Sequence, residues 1–202
     1  EFKRKRSDGS YYINHRLNLN LKYSDVGHIN KFLNFLKCTT ITPKKNLVKM
    51  PSGNLAEIAR IRISSKPLSE ALINHGVIPN KSLNEPEPNG LPEEFVPDFI
   101  RGLFDADGCI PNYNNNRVGA ISICDGEVLM NWVHQYYPFL IMHEDYYSKG
   151  LYILKASKQK DILKFLNSIY KNATIFLDRK YEMYLKTKLK IESKLTRNSK
   201  KK

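Results

Sequence analysis

Asp105 and Asp107 close an apolar segment that runs Asp98-Phe99-Ile100-Arg101-Gly102-Leu103-Phe104-Asp105-Ala106-Asp107-Gly108-Cys109-Ile110. Carboxylates at the C-terminal end of a helix face the negative pole of its dipole, which disfavours each by roughly 0.3–1 kcal/mol. A divalent cation held there would compensate them, because hard cations prefer anionic oxygen. The chemistry this spacing suggests is metal-assisted. A calcium loop does not fit, since Cys109 would occupy a position that needs an oxygen ligand and no glycine follows it.

A helix must position these acids, and the flanks supply its punctuation. Pro97 presets the backbone angle of a first helical turn. Gly108 is expected to end the helix in the left-handed C′ conformation. Gly102 and Ala106, four apart, share one face and would let a second helix approach closely. With those residues in place, Ile100 to Gly108 resembles the nine-residue signature of the LAGLIDADG homing endonucleases, matching at Gly102, Leu103, Asp105, Ala106, Asp107 and Gly108. Arg101 departs from it, where the signature has a small residue.

Two halves are visible. Tyr23-Ser24-Asp25 followed by Ile29, Phe32, Leu33 and Leu36 aligns with Ile123-Cys124-Asp125 followed by Leu129, Trp132, Val133 and Tyr136, and both read as strand, turn and amphipathic helix. Ile61 to Leu72, with Ser65-Lys66 before its helix, similarly matches Ile153 to Leu166, with Ser157-Lys158. The proline- and glycine-rich stretch Asn84 to Pro92 reads as a linker. The expected division is 1–88, 89–189 and a basic tail 190–202. By the repeat offset the first half should carry its own signature helix ending near residue 8, but residues 1–15 have no helical period. That helix is expected upstream of Glu1.

Strand chemistry adds a polar face. In Arg16-Leu17-Asn18-Leu19-Asn20-Leu21-Lys22 the leucines alternate with Arg16, Asn18, Asn20 and Lys22, so the two sets face opposite sides. Arg60 and Arg62 alternate with Ile61 and Ile63 in the same way. Arginine, asparagine and lysine carry the donors and acceptors that match base edges in the major groove, which admits a β-ribbon. Asn112, Asn114, Asn116 and Arg117 read as a polar hairpin tip, and Lys3, Arg4 and Lys5 form a basic opening. The whole chain carries 33 Lys plus Arg against 20 Asp plus Glu, a net charge of +13 that favours a polyanionic partner.

The family resemblance implies an α+β fold of two αββαββα halves with antiparallel saddle sheets, the first half lacking its initial helix. It implies a site-specific double-stranded DNA endonuclease using Mg²⁺, acting as a monomer when the upstream helix is present. Carried over residue by residue, Asp107 is the metal-binding acid, Ala106 supplies a carbonyl beside it, and Lys158 and Lys66 match basic residues near the active site. Asp105 is implied to be structural. With one of two acids missing, the fragment is expected to bind DNA and cleave it poorly. The alternative is a non-cleaving binder, either an intron RNA maturase or a DNA-binding regulator.

Other classes are disfavoured. His15, His28, His75, His134 and His143 lack metal-ligand spacing, against an HNH-type nuclease, and no His-Asn splicing pair closes the sequence. Cys38, Cys109 and Cys124 have no Cys-x-x-Cys spacing, which points to a reducing intracellular compartment, cytoplasm or organelle. No apolar run approaches the roughly 18–20 residues of a membrane span, so no membrane partner is expected.

Overall fold

The computed structural model describes residues 2–5, 7–14, 16–79, 83–111 and 119–199. It divides into two compact units, Glu1–His75 and Gly76–Lys202. In the first, β1 (Phe2–Lys5) pairs antiparallel with β2 (Tyr11–Asn14). A separate antiparallel sheet has the order β3-β5-β4, formed by Arg16–Lys22, Leu55–Ser64 and Lys44–Lys49. Its inward face is built by the alternation seen in sequence: Leu17, Leu19 and Leu21 pack with Ala59, Ile61 and Ile63. Helix α1 (Val26–Phe35) covers that face with Ile29 and Leu33, both buried. Helix α2 (Lys66–Asn74) follows β5, its first turn capped by Ser65 Oγ, which accepts from Leu68 N at 3.3 Å.

The second unit carries α3 (Val96–Asp107), β6 (Ile121–Gly126), α4 (Glu127–Tyr136), β7 (Ile141–Glu144), β8 (Leu151–Ala156), α5 (Gln159–Tyr170) and α6 (Asp178–Ser199). Its sheet has the order β6-β8-β7, all antiparallel. Thus β3-α1-β4-β5-α2 and β6-α4-β7-β8-α5 have the same element order and sheet order, as the internal repeat requires. Phe104, Ile121, Ile123, Leu154, Ile162, Phe165 and Tyr184 belong to one buried core. The segment from residue 190, expected as a basic tail, continues α6 to Ser199.

The left-handed conformation expected of Gly108 is not found. Gly76, after α2, takes the left-handed conformation with φ +91, whereas Gly108, after α3, is extended at φ −74 and ψ 156. Gly108 is instead required for space, because a Cβ there would overlap both the Phe104 ring and its carbonyl oxygen. Among the described residues no helix is long and apolar enough to cross a membrane.

Candidate nucleic-acid interface and acidic site

Helix α3 sorts its residues by face. Val96, Ile100 and Phe104 are buried, while Gly102, Ala106 and Asp107 are exposed within their unit. Nothing lies within 4 Å of where a Gly102 Cβ would be. Arg101 sits on the buried side. Its Nε donates to Ile175 O at 2.8 Å, its Nη1 to Ile169 O at 3.1 Å, and it pairs with Asp98 at 2.6 Å. The residue that departs from the signature therefore ties α3 to the end of α5 and the segment before α6, and leaves the small-residue face unobstructed.

The two acids separate into different roles. Asp105 is buried and accepts hydrogen bonds from Tyr170 OH (2.5 Å) and Leu177 N (2.9 Å), so its carboxylate is compensated by protein donors. Burial and the adjacent Asp105 charge push the Tyr170 hydroxyl well above its ordinary range. Asp107 instead stands exposed at the helix end. Its charge reaches Cys124, whose thiol is raised by burial first and by Asp107 next.

Beside Asp107 the structure places a lysine that sequence reasoning passed over. Lys180, only 4% exposed, donates through Nζ to the carbonyl oxygens of Phe104 and Gly108. Burial, then the Arg179 charge, pulls its pKa down to about 8, against the opposing pull of Asp105 and Asp107. The signal was in the spacing: Lys180, Tyr184, Thr187 and Ile191 are all buried and form one stripe of α6, so the stripe carries a lysine at its first position.

Lys158 is the exposed N-cap of α5, just beyond Ala156, which pairs with Ile121 at one end of β6. The antiparallel bridge Cys109↔Ser122 runs the chain before it toward the Cys124 end. Ile121 and Cys124 are about 10 Å apart along the strand. Lys180 is bound at the helix end that carries Asp107. Lys66 is the exposed first residue of α2, paired with Glu70 at 3.6 Å.

The polar strand face is assembled as the alternation suggested. Register sets Asn18 opposite Arg62 and Asn20 opposite Arg60, with Arg16 opposite Ser64. Asn18, Asn20, Lys22 and Arg62 are exposed, and Arg60 is half-buried. Arg60 Nε donates to Asn20 Oδ1 at 2.8 Å. Strand β4 adds Lys44 opposite Arg60 and Asn46 opposite Ile58 on the same face, two residues not anticipated from sequence. A cavity of about 260 Å³ opens there, lined by Thr42, Lys44, Asn46, Arg60 and Arg62 among others. Lys5 lies in β1 and is exposed; Lys3 and Arg4 lie in the same strand, and their side chains fall outside the description. Asn112, Asn114, Asn116 and Arg117 lie outside the described residues. The corresponding face of the second sheet is different chemistry, with Ser122, Lys155 and Ile141 in one row and Cys124, Ile153 and His143 in the next.

Solved structures share this architecture. The chain is similar to meganuclease I-SmaMI bound to uncleaveable DNA, with a TM-score of 0.59 and 13% identity over 98% of this chain and 85% of that one. The chain has the LAGLIDADG homing-endonuclease fold. The endonuclease I-GzeII in complex with its DNA target gives a TM-score of 0.57 at 12% identity over 96% and 86% of the two chains. I-WcaI bound to its recognition sequence gives 0.57 at 14% identity over 89% and 79%. No protein-family model and no curated protein matches the sequence.

Proposed function

We propose that the protein is a site-specific double-stranded DNA endonuclease. The observation that carries this reading is the outer face of the β3-β5-β4 sheet, where Asn18, Asn20, Lys22, Lys44, Asn46, Arg60 and Arg62 stand together opposite an apolar core. Such a face offers cationic groups to phosphates and amide and guanidinium donors to base edges. I-SmaMI, I-WcaI and I-GzeII, which share the fold, are each solved with DNA. The outer faces of the two sheets differ in chemistry, which favours a monomer reading an asymmetric site.

Asp107 is the acid for metal. Its exposed carboxylate and the adjacent Ala106 carbonyl are hard oxygens of the kind Mg²⁺ takes, and Mg²⁺ commonly binds one or two carboxylates together with water and substrate phosphate. Among the described residues no group of three His, Cys, Asp or Glu could hold a metal alone, so DNA or a further acid would complete the coordination. When bound, the ion would activate water and stabilise the leaving oxygen. Lys180 holds a positive charge at the same helix end, and with a pKa of about 8 it exchanges a proton near neutral pH.

Duplex binding by the full chain tests the reading first. Affinity should fall with salt by about 0.9 log units per log unit for each phosphate neutralised. A salt-independent affinity, or none, would remove DNA as the partner. A chain that binds duplex tightly and never cuts it with Mg²⁺ or Mn²⁺ would be a non-cleaving binder.

A further inference from the structure

On the β3-β5-β4 outer face the guanidinium of Arg60 is held by a neighbouring strand. On one side Asn20 Oδ1 accepts from its Nε; on the other Lys44 stands directly opposite it in register. The next rung repeats the residue types without the link, since Arg62 faces Asn18 and no hydrogen bond joins that pair. The hydrogen bond uses Arg60 Nε and so leaves its two terminal amino groups as a fork. It also turns the Asn20 acceptor toward Arg60, which leaves Asn20 its amide donors for an outside partner.

Donors therefore converge at this rung: the arginine fork, the asparagine amide and the Lys44 ammonium. Like charges directly across a strand pair repel in the free protein, and an acceptor-rich partner relieves that repulsion. Guanine presents two acceptors, N7 and O6, on its major-groove edge, whereas adenine pairs an acceptor with a donor and cytosine offers a donor. Resting on the DNA-binding reading, we infer that Arg60, oriented by Asn20, is a guanine-specifying contact, and that Asn20 is a positioning residue instead of an independent reader of adenine.

Selection of bound sequences from a random duplex pool, using the full chain, reads this directly. Wild type should require guanine at one position. Arg60→Ala should lose that requirement by about tenfold or more while other positions keep theirs. Asn20→Leu should relax the same position, and Asn20→Asp, which still accepts from Nε, should retain it. Arg62→Ala should alter a different position. The Asn20 side chain is exposed, so folding is not at stake in its substitutions.

Arg60→Ala protein that weakens on all sequences alike would make the contact one to phosphate and overturn the inference. So would an Asn20→Leu protein whose changed preference falls at another position. Wild type that binds duplex with no guanine requirement removes this inference alone, whereas wild type that binds no duplex removes the DNA-binding reading beneath it.

Discussion

Replacing Lys180 by Met removes a buried ammonium while keeping much of the side-chain volume, and its clearest effect is on how stability depends on pH. The unfolded chain holds this proton to about the ordinary lysine value of 10.5, the folded chain only to about 8. Between those values unfolding takes up a proton, so raising the pH stabilises the fold. Linkage makes the gain from about pH 7.5 to about pH 9.5 roughly 2 kcal/mol, or about 4–8 °C in melting temperature for a chain of this size. Tyrosines such as Tyr170, raised in the fold, work in the opposite sense toward pH 10, but they cancel when the two proteins are compared. At neutral pH the variant loses two charge-assisted hydrogen bonds to the end of α3 and also loses a desolvation cost, so the net change there should be small. Urea denaturation of both proteins across this range is the assay. A Lys180→Met protein that gains stability with pH in parallel with wild type would refute the buried, depressed lysine.

Three further outcomes follow from the same geometry. Tyr170→Phe strips one hydrogen bond from the buried Asp105 carboxylate and should cost about 1.5–3 kcal/mol in denaturant unfolding. Gly108→Ala drives a methyl group into the Phe104 ring and should cost about 1–3 kcal/mol although its backbone angle suits alanine, and a neutral result would mean that α3 ends differently. Arg62→Ala should reduce discrimination between sequences by roughly 1–3 kcal/mol at one base position, measured by competition with shuffled duplexes.

Much of this was legible in the chain. The helix of the signature and the polar faces of β3 and β5 follow from local spacing, whereas the structural role of Asp105, which the structure shows buried, came from the family resemblance. Strand β4 did not declare itself, because an edge strand with Leu47 65% exposed lacks the apolar alternation that marks a half-buried strand. The place of Lys180 in the buried stripe of α6 was visible in its spacing, but its partners were not, because the carbonyls of Phe104 and Gly108 precede it by more than seventy residues. Those bonds also bear on Gly108. With Lys180 satisfying carbonyls at the end of α3, the helix needs no left-handed turn there, and the chain leaves extended into the Cys109↔Ser122 bridge.

Wild type and Asp107→Asn, compared on a duplex selected by the wild-type protein, give the most direct test of the acidic site. Mn²⁺ uptake by the protein–DNA complex and strand scission are followed together at matched DNA occupancy. The amide keeps the shape of the carboxylate but little of its attraction for a hard cation, so DNA affinity should stay within about threefold while metal uptake and scission fall away. An Asp107→Asn complex that takes up metal and cuts as wild type does would contradict the assignment.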